Sequence, residues 1–206
     1  MAKLGIAVDI GSSNIAGYIV NFDKPKDFFY LSIKNSQTKH GLDLITRLTF
    51  CRDLKNQKVL HDILINDLNN LIFGLCKKIR VNRKRIEKIV VSANTIMLHF
   101  LLNLDISGFK SYPYISQISG TTIIEDVNLF GIKAGKNTKI ILLPPISPYL
   151  GADITAGILF TRMHKVSAVK FLIDLGTNAE MVLGNKNTLI ATSAAAGPAF
   201  KSKDIL

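Results

Sequence analysis

The sequence predicts an α/β protein, and three observations carry that reading. Short apolar runs of strand length alternate with longer amphipathic stretches of helical period. The chain opens on three successive strand-like segments separated by turn residues. The order apolar strand, Asp, apolar residue, Gly, hydroxyl or amide residues, second strand occurs twice, around Asp9 and again around Asp174.

Taken in order, residues 4–9 form an apolar strand, Gly11-Ser12-Ser13-Asn14 a turn, residues 15–22 a second strand and residues 28–33 a third, a β-meander. Leu44, Ile45 and Leu48 recur at helical spacing within 42–51, and a second amphipathic helix is expected over 59–78. Ile89, Val90 and Val91 mark a compact strand at 86–92, after which Asn94 caps a helix carrying Ile96, Met97, Phe100 and Leu101. Residues 105–136 are punctuated by Gly and Ser and have no clear period. A buried-type strand at 139–143 is ended by Pro144-Pro145, and Gly151-Ala152-Asp153 starts a helix running to about Met163. A strand at 168–174, the turn Gly176-Thr177-Asn178 and strands at 180–183 and 189–192 follow. This order predicts one lobe over 1–167 and the first strands of another, incomplete lobe over 168–206.

Composition bounds the function classes. At 206 residues and 48% hydrophobic content the chain has enough apolar side chains for a sizeable core. A net charge of +11 attracts nucleotide phosphate, nucleic acid or an acidic protein without choosing among them. Cys51 and Cys76 stand far apart, in no spacing that holds zinc or an iron–sulfur cluster, and two lone thiols fit a reducing cytoplasm. The first residues run straight into a strand, so no signal peptide is expected. The apolar stretch 140–160 is interrupted by Pro144, Pro145, Pro148 and Asp153, which excludes it as a membrane span.

The duplicated hairpin carries the chemistry. The first copy is Val8-Asp9-Ile10-Gly11-Ser12-Ser13-Asn14, the second Ile173-Asp174-Leu175-Gly176-Thr177-Asn178. Gly lets the backbone approach a phosphate, Ser, Thr and Asn side chains donate to it, and Asp at a strand end holds hydrated magnesium. One Asp-x-Gly turn is common in ordinary hairpins, but two facing copies would clamp a polyphosphate. Asp153 adds a third carboxylate at a helix start, where by itself it would serve only as a favourable dipole partner.

Together these segments resemble the phosphate-1, connecting-helix and phosphate-2 elements of the actin-like ATPase superfamily. A more specific resemblance is to the ATP-dependent reductive activators of corrinoid proteins. It rests on Gly5-Ile6-Ala7-Val8-Asp9-Ile10-Gly11, Gly41-Leu42-Asp43-Leu44-Ile45-Thr46-Arg47-Leu48-Thr49 and Ala93-Asn94-Thr95-Ile96-Met97-Leu98-His99. It continues in Leu143-Pro144-Pro145-Ile146-Ser147, Gly151-Ala152-Asp153-Ile154-Thr155-Ala156-Gly157, Asp174-Leu175-Gly176-Thr177-Asn178-Ala179-Glu180 and Ala195-Ala196-Gly197-Pro198-Ala199-Phe200.

The resemblance implies a ribonuclease-H-like lobe with a mixed sheet flanked by helices, and ATP and magnesium in a cleft between two lobes. It implies that Asp9 and Asp174 hold magnesium through water, that Gly11, Ser12, Ser13, Asn14, Gly176, Thr177 and Asn178 cradle phosphate, and that Asp153 orients the attacking water. Hydrolysis would be coupled to reductive reactivation of a corrinoid protein partner. The family's iron–sulfur domain and the later segments of the second lobe have no counterpart in this sequence, so a separate second-lobe or ferredoxin-like polypeptide is the implied complement. Two further classes stay open: a small-molecule kinase built on the same hairpins, and a shortened, non-catalytic remnant that only associates with a partner.

Other features take plainer readings. The basic run of residues 77–85 reads as a solvated loop at a helix end, and nucleic-acid binding is not expected. His40, His61, His99 and His164 lack ligand spacing, and His99 reads as a packed helix residue. Asp43 and Arg47, four apart, read as an ordinary surface pair on a helix, with a role toward the cleft or a partner as the alternative.

Overall fold

The computed structural model describes residues 3–176 and 178–195. The Thr177 position and the segment Ala196 to Phe200, both used above, lie outside the described residues.

β1 (Leu4–Ile10) is the central strand, and its alternation explains its place: Leu4, Ile6, Val8 and Ile10 are buried while Ala7 and Asp9 face the other way. β2 (Asn14–Asn21) pairs with it antiparallel and β3 (Lys24–Lys34) extends the meander to the edge. On the other side β4 (Ile86–Ala93) and β6 (Lys139–Leu142) run parallel, and β5 (Thr122–Ile124) closes that edge antiparallel. The result is a six-stranded mixed sheet of order β3-β2-β1-β4-β6-β5.

Helices cover one face. α1 (Leu44–Phe50) is short, α2 (Leu54–Lys78) presents Leu60, Leu64, Leu68, Leu71, Ile72 and Leu75 to the sheet, and α3 (Thr95–Leu102) is buried nearly all round. The other face is open over β2 and β3, where Tyr18 stacks within 4.9 Å of Tyr30 and 5.9 Å of Phe28 and all three are exposed. α4 (Ala152–Thr161) leads into a separate three-stranded meander of β7 (Lys170–Leu175), β8 (Asn178–Gly184) and β9 (Leu189–Ala195). Val182 from that sheet shares a small core with Leu150, Ile154 and Met163.

The departures from expectation have local causes. α2 begins five residues before position 59, because Asp53 caps it through Asn56 N while the polar first turn hides the apolar period. A 3-10 turn (Ser36–His40) precedes α1, and Asp43 and Thr46 form a capping box that starts α1 after Asp43. Residues 105–136 carry only a 3-10 turn (Ser107–Phe109) and β5, pinned instead by buried Ile106, Phe109, Ile118, Val127 and Ile132. The surface pair expected of Asp43 and Arg47 is overturned. Asp43 is spent on the cap, and Arg47 is completely buried.

Candidate functional site

The strand ends of the two sheets build the site. β1 ends at Asp9 and Ile10, and a turn at Gly11-Ser12-Ser13 returns the chain into β2, closed by Gly11 N donating to Asn14 O at 2.9 Å. β7 also runs into a glycine turn, one residue shorter, with Gly176 N donating to Asn178 O at 2.8 Å. The first turn has no room for a larger residue at its glycine, since a Cβ on Gly11 would meet Asn14 O at 2.8 Å.

Two buried residues hold the first turn from behind. Asn35 donates its side-chain N–H to Gly11 O at 2.9 Å and its backbone N–H to Ser13 O at 2.9 Å. Arg47 donates to the carbonyl of Ser12 between them. The same guanidinium reaches Gly41 O at 2.9 Å and Gln37 Oε1 at 3.2 Å, and rests on Met97 Sδ at 3.5 Å. Burial pulls the Arg47 pKa down to about 10, against the opposing pull of the Asp43 charge.

The third element is the start of α4. Gly151 sits against the end of β4, where a Cβ would come within 2.5 Å of Asn94 Cα and 2.7 Å of Ala93 O. That approach brings Asp153, in the first helical turn, toward the strand ends. Its Oδ1 accepts from Ile154 N at 2.8 Å. Thr95 Oγ1 and Thr155 Oγ1, both 2.7 Å from their acceptors Ser147 O and Pro144 O, brace the connecting loop.

The carboxylates of Asp9, Asp153 and Asp174 feel one another's charge. Burial raises the Asp9 pKa above the usual range and the Asp174 charge adds to it, while a Ser92 hydrogen bond opposes both. Burial and then the Asp174 and Asp9 charges push Asp153 up to about 6, against the hydrogen bond from Ile154. A fourth member was not among the sequence candidates. Glu180 is buried, stands opposite Asp174 in the β7–β8 register, and is pushed up to about 7 by burial and by the charges of Asp153 and Asp174. Its counterpart in the first hairpin is Ala16, opposite Asp9. Among the described residues no group of three His, Cys, Asp or Glu side chains is close enough to hold a metal directly.

The structure thus draws Asp9, Asp153 and Asp174 into one electrostatic neighbourhood beside Gly11, Ser12 and Ser13 and beside Gly176 and Asn178. Asn35 and Glu180 are absent from the sequence-based candidates, and Arg47 carries a role toward the cleft there only as the alternative to a surface pair. Arg47 and Glu180 lie inside quoted motifs, and Asn35 gave no signal of its own.

The remaining ionisable candidates are absorbed by packing. His99 is fully buried, with Nδ1 2.9 Å from Thr95 O, Nε2 accepting from Gln117 N at 3.2 Å, and its ring edge-on to Phe109. His61 Nδ1 lies 2.8 Å from Leu101 O and the His40 ring sits 4.5 Å from that of Phe50. Cys51 and Cys76 are free and buried, and burial pushes the Cys51 thiol up to about 11. No helix among the described residues is long and apolar enough to cross a membrane.

Comparison with known proteins supplies the context for this geometry. The family profile described as the RACo middle region matches residues 4–166, and the one described as the C-terminal domain of RACo, the ASKHA domain, matches residues 168–206. The corrinoid activation enzyme RamQ of Eubacterium limosum is 26% identical over 96% of this chain, which spans 33% of that protein. The [Co(II) methylated amine-specific corrinoid protein] reductase of Methanosarcina barkeri is also 26% identical, over 98% of this chain and 38% of its own length. The solved structure of a reductive activator for corrinoid, iron–sulfur protein superposes with a TM-score of 0.90 at 30% identity, covering 97% of this chain and 32% of that one. A Sinorhizobium meliloti protein described as a candidate 2-dehydro-3-deoxygalactonokinase superposes at 0.52 with 13% identity, covering 94% of this chain and 54% of that one, which is a likeness of fold alone.

Proposed function

The chain belongs to the RACo family, whose middle region and C-terminal ASKHA domain it matches in succession, and from that premise we propose that it is the phosphate-gripping part of an ATP-driven activator of a corrinoid protein. The observation that carries this reading is the mutual coupling of Asp9, Asp153 and Asp174 beside two glycine turns of like build. Asp9 and Asp153, both raised by burial and by neighbouring carboxylate charge, lack a counter-charge, and a hydrated divalent cation with its polyphosphate would supply one.

In this reading Asp9 and Asp174 would hold a hydrated magnesium ion. The Gly11-Ser12-Ser13-Asn14 and Gly176-Thr177-Asn178 turns take up the phosphates, and Asp153 orients the attacking water. Magnesium would screen the charge of the transferring phosphate. Asp153, raised to about 6 and oriented by the Ile154 N–H on Oδ1, would accept a proton from that water. Residues 1–167 and 168–206 then act as the two sides of the cleft. The chain spans about a third of its curated relatives, so the corrinoid partner, the electron donor and the remaining adenosine contacts belong to the whole machine.

Calorimetry with Mg–ATP tests this on the chain itself. Binding that requires magnesium and weakens at least tenfold in Asp9→Asn or Asp174→Asn is the expected result, a loss of ~1.4 kcal/mol. Binding indifferent to magnesium and to both substitutions would remove the assignment.

A further inference from the structure

We propose that Arg47, assisted by Asn35, is a positioning residue that fastens the carbonyl side of the Gly11–Ser13 turn into the protein and so turns the N–H side toward the bound phosphate. The inference rests on the reading that this turn takes phosphate.

In a trans peptide the carbonyl and the following N–H point in opposite directions. The carbonyls of Gly11, Ser12 and Ser13 all accept from groups behind the turn, namely Asn35 Nδ2, the Arg47 guanidinium and Asn35 N. The N–H groups of Ser12 and Ser13 therefore face away from those donors, and among the described residues neither finds a backbone acceptor. Successive N–H groups presented on one side form an anion-binding concavity. An unfastened turn would let these peptides flip and present carbonyl oxygens instead.

The anchor has to be arginine. One planar fork reaches Gly41 O, Ser12 O and Gln37 Oε1 at once, which a lysine ammonium on its flexible stem cannot do. The cation is fully buried, and among the described residues it makes no ion pair within 4.0 Å. Burying a cation with no carboxylate in direct contact is costly, because neutral oxygen acceptors and the more distant Asp43 charge offset the desolvation only in part. A phosphate seated on the far side of the turn would give that charge a partner. Asn35, Gln37 and Arg47 are all fully buried, with Gln37 Nε2 tied to Leu60 O at 2.8 Å, so the anchor is fixed to α2 rather than to the surface.

The test uses the chain with Arg47→Lys and Arg47→Met, reading amide exchange of Gly11, which donates inside the turn, against that of Val91 in β4, and Mg–ATP affinity by calorimetry. Exchange at Gly11 should rise at least tenfold in both variants with Val91 unchanged, and Mg–ATP affinity should fall at least tenfold in both. Equal acceleration at Gly11 and Val91 would mean a merely structural residue and would overturn the inference, as would no acceleration at either. Faster exchange at Gly11 with parental affinity would overturn the link between the anchored turn and phosphate. A parent that binds no Mg–ATP would instead overturn the phosphate reading, and the exchange arm would still decide whether Arg47 fastens the turn. Should neither variant fold, Asn35→Ser carries the same test, because it keeps a side-chain acceptor for Gln37 N while replacing the amide donor to Gly11 O with a single shorter hydroxyl.

Discussion

At the scale of single residues, charge is spent where the fold does not require it. Asp9 and Asp174 sit at strand ends where a neutral side chain would serve the sheet as well or better, since the Asp9 carboxyl is already penalised by burial. Asp9→Asn should leave thermal stability unchanged or slightly raised while weakening Mg–ATP, a combination read by a melting curve beside a titration. Asp153→Asn should leave affinity near the parental value and slow hydrolysis at least tenfold, and unchanged hydrolysis would strip Asp153 of its assigned task. Acidity offers a further check. Asp153 at about 6 and Glu180 at about 7 both lie above their unfolded values near 4, so the folded state holds extra protons. Their contribution to stability is present at low pH and lost as pH rises through 6 and 7. Protection of β7 and β8 against exchange, corrected for intrinsic rates, should therefore be greater at pH 5.5 than at pH 7.5, and Glu180→Gln should flatten that slope. An opposite slope would mean that Glu180 is not held in its neutral form.

Elements show what a sequence displays and what it hides. The two hairpins were legible because apolar strand, Asp, Gly and hydroxyl or amide residues in that order mark a strand running into a turn, and because the order repeats. The buried faces of β1 and α2 were legible from their periods of two and of three to four. Arg47 was not, because an Asp–Arg pair four apart on a helix is ordinarily a solvated ion pair, and only the 3-10 turn before α1 folds this one inward. Glu180 was hidden for a related reason: on an isolated strand it reads as a polar face, and its neighbours Asp153 and Asp174 arrive by tertiary contact. The boundary of α2 was lost to a polar first turn. For α2 itself, Leu71→Ala, which empties a fully buried position beside Gly17, should cost about 2–5 kcal/mol in a denaturant titration. Leu54→Ala at its exposed start should cost little.

Over the whole molecule, the two sheets are unequally finished. The six-stranded sheet has one face sealed by α2 and α3, whereas the three-stranded sheet packs a single face on α4 and leaves Phe171, Ile173, Leu175, Leu183 and Ile190 exposed. Among the described residues β7 pairs with β8 alone, while its counterpart β1 is paired on both edges, with β4 lying parallel to it. An edge and an apolar face left in this way invite pairing. The chain is expected to self-associate with concentration in sedimentation, and β7 to β9 should exchange faster than β1 and β4. Uniformly strong protection in a strict monomer would contradict this.

The central claim is that the two glycine turns grip one polyphosphate between them. Amide shifts of the chain followed by NMR during a Mg–ATP titration address it most directly. Ser12 and Ser13 in the first turn and Gly176 and Asn178 in the second should shift together along a single binding curve, only when magnesium is present, and not in Asp9→Asn. Shifts confined to one turn, or two turns following different curves, would contradict it.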